Sequence, residues 1–228
     1  MPRISVVTVC YNAANAIEET IKSVLSFRDN VDYIIIDGNS TDSTVDIIRK
    51  YETQLKFWVS EPDKGIYDAM NKGWEKADIN SFVLFMGAGD KIMSLPAAAE
   101  LDLANIYYGD ATPGDNKIFV AKQDVRLKFG NTLHHQSLLI PKRLNVSPPF
   151  NIAYKVYADF DFNQRLLKKK IGFIKLNDLR SYYSPDGFSQ HHKTFEWFYI
   201  VKSNFGLFYA MVGFIYFYFQ QLKSVIKR

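Results

Sequence analysis

Hydrophobic positions in the first half of the chain alternate between short unbroken runs and helically spaced stretches. The unbroken, β-branched runs predict buried strands, because a strand covered on both faces needs no polar side. They lie at residues 4–9, 33–36 and 82–86, with a shorter apolar patch at 57–59. Apolar residues three or four positions apart predict helices at residues 16–26, 44–51 and 66–76. This alternation predicts an α/β fold with a mainly parallel central sheet covered by helices.

The pattern after about residue 100 is less regular. It predicts strands at residues 137–140 and 172–176, a helix at 159–168 and a loop at 184–192. From about Thr194 the chain has the pattern of an apolar helix. We therefore expect a globular unit over residues 1–193, with halves at 1–100 and 101–193, and a helical tail over residues 194–228.

The composition is that of a globular protein. Of the 228 residues, 47% are hydrophobic and 15% aromatic, which is enough to bury a core without disulfides or metal ions. The single cysteine, Cys10, excludes an intrachain disulfide. A net charge of +4 is too weak to predict nucleic-acid binding. The apolar run at the N-terminus is too short for a signal peptide, so we expect a cytoplasmic protein.

The common sequence motifs for phosphate, zinc and redox chemistry are missing. GxGxxG, GxxxxGK[ST], CxxC, HExxH and GxSxG do not occur. Three predicted strand ends carry sequences rich in Asp, Asn and Gly instead. Because ligands of parallel α/β sheets bind beyond the carboxyl ends of the strands, these ends form the candidate site.

Asp37 and Asp90 are acidic residues that follow two of these strands. Asp37 can accept hydrogen bonds from a ligand, or it can only form an Asx turn while Asp42 caps the next helix. Asp90 follows Gly87 and Gly89 and can approach a cation held by a diphosphate, or it can simply belong to a turn. The residues alone leave these alternatives open.

The segment EPDKGIYDAMNKG, residues 61–73, is the most distinctive part of the chain. It places several charged and polar side chains around the start of a predicted helix. Asp68, Asn71 and Lys72 share one face of that helix, because they are three or four positions apart. This face is either an ordinary solvated surface or a buried charged network that faces a ligand.

The second half carries two close carboxylates and two histidine pairs. In YADFDFNQRL, a helix sends Asp159 and Asp161 to different sides, so one of them can act as a general base. The alternative is that they only complement the helix dipole. The histidine pairs at residues 134–135 and 191–192 lack the spacing of a zinc site. We expect His135 to line a polar pocket or to donate to a phosphate.

Several segments, in order and spacing, resemble glycosyltransferase family 2, whose members have the GT-A fold. They are SVVTVCYNAANAIEETIKSVLSF, DYIIIDGNSTDSTVDIIRKY, EPDKGIYDAMNKGWEKA, FMGAGDKI, HHQSLLIPK, YADFDFNQRL and SPDGFSQHH, which span most of residues 4–192. The EPDKGIYDAMNKG form is similar to that of bacterial polysaccharide-synthesis transferases. The resemblance implies a Rossmann-like fold that binds a nucleotide-diphospho-sugar.

The resemblance also implies which residues bind this donor. The implied donor contacts come from Thr8, Tyr11, Asn12, Asp37, Ser40, Asp63, Lys64, Asp68, Lys72, Gly89 and His135. Among them, Asp37 is expected to bind the nucleotide base, with Asp42 nearby. The residues of the EPDKGIYDAMNKG segment are expected to contact the base, ribose or diphosphate, or to support the loop that does.

Asp90 takes the metal-binding place of the family's DXD motif, and Asp159 takes the place of its catalytic base. The chain departs from that motif, since residues 87–90 read GAGD, with one carboxylate instead of two. A divalent cation, Mn²⁺ or Mg²⁺, is expected as a Lewis acid at the donor diphosphate. One base and one cation suffice for a single displacement that inverts the anomeric carbon.

The implied activity is transfer of a sugar from a UDP-sugar to a hydroxyl of a lipid-linked saccharide, in bacterial surface polysaccharide synthesis. We expect it at the inner face of the cytoplasmic membrane, without nucleic acid. One rival is a nucleotidyltransferase, although residues 10–16 contain no Lys or Arg for the basic loop such enzymes use. Another is a non-catalytic, membrane-associated nucleotide-sugar-binding protein, which the incomplete DXD motif favours.

The tail contains 20 consecutive residues without a formal charge, 203–222, and then Lys223, Lys227 and Arg228. Of the 35 aromatic residues in the chain, 12 lie between residues 195 and 219. Tyrosine is typical of membrane interfaces rather than bilayer centres, so we favour an amphipathic helix on an anionic membrane. The alternatives are a helix packed on the catalytic domain and a true membrane span.

Overall fold

The protein is described here by a computed structural model, which covers residues 1–113, 118–144, 148–169, 171–185 and 195–215. Within these residues, eight strands form one sheet in the order β3-β2-β1-β4-β7-β6-β8-β5. The parallel part consists of β1 (Ile4–Cys10), β2 (Val31–Asp37), β3 (Phe57–Ser60) and β4 (Phe82–Gly87). All of β1 is buried, because strands pair with both of its edges and helices cover both faces. The α/β prediction is confirmed.

Helices α1 (Ile17–Leu25), α2 (Thr44–Arg49) and α3 (Ile66–Lys76) cover the two faces of the parallel strands. Successive side chains of β1 point to opposite faces, so Val6 packs with α1 and Val7 packs with α3. Helix α3 approaches the sheet closely, since a Cβ on Gly73 would lie 2.2 Å from Cγ1 of Val7. The glycine therefore sets how near α3, and the loop before it, can come to the strand ends.

Beyond β4 the strands run in mixed directions. They are β5 (Lys91–Ser94), β6 (Asn105–Thr112), β7 (Leu138–Pro141) and β8 (Gly172–Tyr182). Strand β7 is antiparallel to both β4 and β6, whereas β6 and β8 are parallel to each other. The parallel arrangement predicted from the sequence therefore describes the half at residues 1–100 better than the half that follows it.

The sequence pattern predicts β7 and the first half of β8 but misses β5 and β6. Strand β6 reads NIYYGDAT, which lacks a run of apolar residues, and its register shifts between Tyr108 and Asp110. The intervening Gly109 lies against the backbone of Leu179, where a Cβ would be 1.7 Å from the carbonyl oxygen. Because of this irregularity, the strand lacks the hydrophobic pattern by which the other strands are predicted.

Helix α4 (Ala158–Lys168) packs against helix α5 (Glu196–Phe205). Gly206, at a φ of 94°, separates α5 from the helical residues 207–215. No helix among the described residues is long and apolar enough to cross a membrane. Residues 186–192 of the predicted loop at 184–192, and the tail beyond residue 215, lie outside the described residues.

Candidate active site

An open cavity of about 830 Å³ lies beyond the carboxyl ends of β1 and β4, where sheets of this kind bind ligands. Its volume is that of a typical small-molecule site. The predicted residues that line it are Tyr11, Asn12, Asp63, Lys64, Asp68, Asp90, His135 and Asp159. The predicted residues that lie outside its lining are Thr8, Asp37, Ser40, Lys72 and Gly89.

The loops that follow β1 and β2 are joined by hydrogen bonds at one end of the cavity. Asn12, at a φ of 47°, donates its N–H to Oγ of Ser40 at 2.7 Å, and its Oδ1 accepts the N–H of Thr41 at 2.8 Å. Asp42 accepts the N–H of Thr44 at 3.0 Å, at the start of α2. Ser40 and Asp42 thus hold the loop shape, and the bond of Asp42 to the N–H two positions on is that of an Asx turn, since the N-cap of α2 is Ser43.

Asp37 lies beneath these loops and is fully buried. Its carboxylate accepts the N–H and the hydroxyl of Ser40 at 2.9 and 2.5 Å, and the hydroxyl of Ser60 at 2.6 Å. Thr8 is equally buried and accepts the hydroxyl of Tyr33 at 3.0 Å. Asp37 is fully buried and lies outside the cavity lining, so base binding by this residue stays a prediction.

The loop at residues 61–65 is shaped by its own acidic side chains. Oδ1 of Asp63 accepts the N–H of Gly65 at 2.8 Å, and Oδ2 of Asp68 accepts the N–H of Lys64 at 3.0 Å. Gly65 has a φ of 117°, a conformation that favours glycine. These bonds place Asp63, Lys64 and Asp68 along the cavity wall.

Lys72 and Asn71 hold this wall from outside the cavity. Lys72 forms an ion pair of 2.8 Å with Glu61 and donates to the carbonyl of Pro62, also at 2.8 Å. Asn71 exchanges two hydrogen bonds, of 2.8 and 3.0 Å, with the backbone of Phe150. The predicted ligand-facing network is therefore divided: Asp68 lines the cavity, while Lys72 and Asn71 make supporting contacts. The donor contact of Lys72 stays a prediction that these contacts do not favour.

Asp90 closes the turn after β4 and is only 5% exposed. Its carboxylate accepts the N–H of Gly87 at 2.7 Å, the N–H of Ser184 at 3.0 Å and the amide of Gln136 at 3.1 Å. Burial raises the pKa of Asp90 above its ordinary value, although these hydrogen bonds oppose the shift. Gly89 supplies the positive φ of 98° that the turn requires. An added charge that favours the carboxylate, such as a cation, would relieve this cost of burial.

Asp159 lies in the first turn of α4 and lines the same cavity. Its Oδ2 accepts a hydrogen bond from Nδ2 of Asn131 at 2.9 Å and lies 3.5 Å from Nδ1 of His135. Its Oδ1 accepts the N–H of Phe160 at 2.8 Å and lies 3.3 Å from the hydroxyl of Tyr67. The carboxylate is therefore oriented on both oxygens.

Asp161, two residues along the helix, lies outside the cavity lining. Its Oδ2 pairs with Nε of Arg165 at 2.8 Å, and its Oδ1 accepts from Nδ2 of Asn204 at 3.0 Å. The expectation that the helix separates Asp159 from Asp161 is confirmed, and Asp159 is the one that faces the cavity.

Residues 134–136 link Asp90 and Asp159, two of the carboxylates that line the cavity. Gln136 donates to Asp90, and its Oε1 lies 3.3 Å from Nδ1 of His134. Burial and the neighbouring His135 lower the pKa of His134 to about 4, so its ring is neutral at pH 7. His135 lies beside Asp159. One short segment thus contacts both ends of the reaction site.

The described residues contain no group of three or more His, Cys, Asp or Glu side chains that could hold a metal ion. Asp90 and His135 are near enough for their charges to interact. Nδ1 of His135 is buried and has no hydrogen-bond partner within the part of the chain that the structure describes. This donor set fits a divalent cation that takes most of its ligands from a bound diphosphate. His191 and His192 lie outside the described residues.

Sequence patterns missed Asn131 and Lys155, although both line the cavity. Asn131 lies in an irregular stretch and reaches Asp159 across 28 positions of sequence. Lys155 adds a cation to the lining, as Lys64 does. For Lys155, the sequence offers one signal of a place at the site, which is its position four residues before Asp159 and just before the predicted helix.

Residues 5–92 match the family model of Glycosyl transferase family 2. The chain is 29% identical over 178 residues to a PGL/p-HBAD biosynthesis glycosyltransferase of Mycobacterium bovis, covering 72% of this chain and 69% of that one. The TarS protein of S. aureus in complex with UDP-GlcNAc is 17% identical, with a TM-score of 0.68 over 87% of this chain. The present chain spans 64% of that TarS chain.

The mannosyltransferase PcManGT from Pyrobaculum calidifontis, in complex with GDP-Man and Mn²⁺, has the same fold. It is 15% identical, with a TM-score of 0.61 over 93% of this chain and 74% of its own. The chain thus has the GT-A fold of these two glycosyltransferases. The matched family model and the glycosyltransferase relatives support a glycosyltransferase that resembles family 2, and they favour it over the nucleotidyltransferase alternative.

Proposed function

We propose that the protein transfers a sugar from a UDP-sugar to a hydroxyl group and inverts the anomeric carbon. The observation that carries this proposal is the presence of two differently bonded carboxylates in one cavity. Asp90 is buried in a turn suited to a cation, and Asp159 is oriented beside Asn131 and His135. The first arrangement suits a leaving diphosphate, and the second suits an acceptor hydroxyl.

Asp159 is the general base of the proposed reaction. Its Oδ2 takes the proton of the acceptor hydroxyl while the hydroxyl oxygen forms a bond to the anomeric carbon. The bond from that carbon to the diphosphate oxygen breaks, and the oxygen keeps the electron pair. Because the hydroxyl enters on the face opposite the leaving group, a single displacement inverts the carbon. The hydrogen bond from Asn131 at 2.9 Å aims Oδ2.

Positive charge must balance the departing diphosphate. Lys64 and Lys155 supply part of it from the cavity lining. Asp90 and His135 would hold a divalent cation, which supplies Lewis-acid stabilisation of the diphosphate when it is bound. The Mn²⁺ in the complex of PcManGT supports this part of the proposal.

UDP is the proposed nucleotide because the neighbouring TarS structure holds UDP-GlcNAc. We would incubate the full chain with UDP-GlcNAc, UDP-Glc, UDP-Gal and GDP-Man, with and without Mn²⁺, in the presence of a lipid-linked saccharide that offers the acceptor hydroxyl. Calorimetry would measure binding, and release of free nucleotide would measure turnover. Binding and turnover of a UDP-sugar are expected. A preference for GDP-Man would overturn the choice of UDP, and binding without turnover of any donor would favour the non-catalytic alternative. NMR of the product anomer tests inversion.

The proposed acceptor is a lipid-linked saccharide of a surface polysaccharide, met at the inner face of the cytoplasmic membrane. The support is an apolar tail surface, which consists of the exposed residues Phe195, Tyr199, Leu207, Phe208, Met211, Val212, Phe214 and Ile215. Residues 197–228 contain four basic and no acidic side chains, which suits anionic lipid headgroups. A surface of this kind would keep the cavity close to an acceptor anchored in the bilayer.

A further inference from the structure

The carboxylate of Glu196, on α5, accepts hydrogen bonds from three consecutive backbone N–H groups. Oε1 accepts from Lys155 at 2.8 Å, and Oε2 accepts from Val156 at 2.9 Å and from Tyr157 at 3.1 Å. The two segments are separated by 39 to 41 positions in the sequence. A single side chain of the tail thus fixes a stretch of loop in the catalytic domain.

This loop leads directly into α4, the helix that carries Asp159. Tyr157 is the N-cap residue of α4, and its own side chain makes no capping hydrogen bond. A carboxylate near a helix N-terminus is favoured by the helix dipole and by the N–H groups that lack partners within the helix. Glu196 therefore binds the N–H of the N-cap residue and the two N–H groups before it, while Asp159 accepts the N–H of Phe160 within the helix.

The same loop is held on its other side by Tyr67 of α3. The hydroxyl of Tyr67 donates to the carbonyl of Val156 at 2.6 Å. Lys155, Val156 and Tyr157 all line the cavity, so the loop is part of the reaction site. Its peptide groups are held between α3 and α5, and Asp159 follows two residues later.

We propose that Glu196 is a positioning residue for sugar transfer. It fixes the loop at residues 155–157, and through that loop it fixes where the carboxylate of Asp159 stands. The inference rests on the proposed role of Asp159 as the base. The reaction needs the base within hydrogen-bond reach of the acceptor hydroxyl, and a displacement of about 1 Å can cost a factor of about 100 in rate.

Asn204 provides a matched control because it also joins α5 to α4. Its Nδ2 donates to Asp161 at 3.0 Å and to Oε1 of Gln164 at 3.1 Å, further along the helix. Removing this side chain weakens the same helix–helix contact but leaves the N–H groups of residues 155–157 bound to Glu196.

The experiment compares Glu196→Gln, Glu196→Ala and Asn204→Ala in the full chain. The readouts are kcat and KM for the UDP-sugar that the donor panel identifies, and hydrogen exchange of the amides at residues 155–157. We expect kcat to fall about 10- to 100-fold in Glu196→Ala, with a smaller rise in donor KM because Lys155 lies in the same loop. Glu196→Gln, which keeps one acceptor oxygen, should lie between the wild type and Glu196→Ala. Asn204→Ala should keep kcat near the wild-type value.

Several results would overturn the inference. Wild-type kcat in Glu196→Ala is one, and an equal loss of kcat in Asn204→Ala is another, since that would reflect only general docking of the tail. Unchanged exchange at residues 155–157 in Glu196→Ala would overturn it even without a turnover assay. An inactive Asp159→Asn with a fully active Glu196→Ala rejects this inference alone. An active Asp159→Asn rejects the proposed function instead.

Discussion

Asp90 and Asp159, two of the carboxylates that line the cavity, differ in how their oxygens are bonded. Asp90 is held by two backbone N–H groups and a side-chain amide, and its burial makes the charge costly unless a cation compensates it. In Asp159, one carboxylate oxygen accepts a hydrogen bond from the side-chain amide of Asn131 and lies near His135. This carboxylate remains partly exposed. A partly exposed carboxylate can meet an incoming hydroxyl, whereas the buried one is better suited to holding charge.

Replacement of Asp159 by Asn tests the base directly. The side chain keeps its shape but can no longer accept a proton, so we expect turnover to fall by a factor of about 100 to 10,000. UDP binding, measured by calorimetry, should remain within about twofold because the carboxylate does not contact the nucleotide in this proposal. Asp161→Asn is the matched control, since Asp161 faces away from the cavity. Substantial turnover by Asp159→Asn would reject the assignment.

Replacement of Asp90 by Ala tests the cation site. We expect at least a tenfold loss of UDP affinity in the presence of Mn²⁺, with little change in the presence of EDTA. The substitution leaves buried N–H donors without their acceptor, which costs about 1–3 kcal/mol of stability. Each variant is therefore compared with itself, with and without Mn²⁺, by calorimetry. If Mn²⁺ strengthens UDP binding equally in both proteins, Asp90 does not hold the cation.

At the scale of elements, α3 depends on Gly73 to reach the sheet. An added Cβ would collide with Val7, and overpacking of this kind costs about 1–3 kcal/mol. Alanine gains about 1 kcal/mol in helix propensity, so Gly73→Ala should be net destabilising in urea unfolding. Gly213→Ala is the control, because a Cβ there meets its nearest neighbour at 3.4 Å. Equal unfolding midpoints for the two variants would contradict the close approach of α3.

The tail elements carry the apolar tail surface on the side away from α4. Phe208 is 75% exposed and Met211 is 46% exposed, so replacing both by Ser should leave the fold intact. We expect the double variant to bind anionic vesicles at least tenfold more weakly than the wild type in a sedimentation assay. Met93→Ser changes an exposed methionine of β5 and should bind normally. Failure of the wild type to bind these vesicles would refute the membrane contact.

At the scale of the whole molecule, the described part of the tail belongs to the packed structure. Phe160 of α4 is 1% exposed and is covered by Ile200, Val201 and Ala210. One face of the described tail therefore packs on the rest of the protein, as one of the sequence alternatives expected. The apolar tail surface remains exposed. The boundary between residues 193 and 194 stays a prediction about domains, but it does not separate two independent cores.

Removal of residues 195–228 should consequently destabilise the whole protein. Exposure of Phe160 alone is worth about 1.5–3 kcal/mol, and the hydrogen bonds of Glu196 to the loop before α4 are lost as well. Urea unfolding should show a lower midpoint for this truncation. Removal of residues 216–228 only is the control, because it keeps the contacts of Glu196 and Ile200. A truncation at 194 that unfolds like the full chain would show that the tail packing contributes nothing.

The sequence predicts what depends on local pattern and misses what depends on distant partners. The buried runs of β1, β2 and β4 and the helix spacing of α3 are local, and their positions agree with the structure to within about two residues. The roles of Asn131 and Glu196 arise from partners 28 and 39 to 41 positions away, so no periodicity reveals them. Asp37 and Lys72 show a second limit of the sequence. The resemblance names both as donor-binding residues, but it does not show that Asp37 is bonded to Ser60 and Lys72 to Glu61.

Cys10 is a native thiol that can report when the carboxyl end of β1 becomes exposed. The thiol lies at the end of β1, beneath the loops that follow β1 and β2. Burial, together with the Asp37 carboxylate, raises the pKa of this thiol. Because only the thiolate reacts readily, modification of this chain's single thiol has to wait until the strand end is exposed. The rate of thiol labelling therefore measures how often that edge of the sheet opens. A ligand bound in the cavity that Cys10 lines would lower the labelling rate, and no probe has to be introduced.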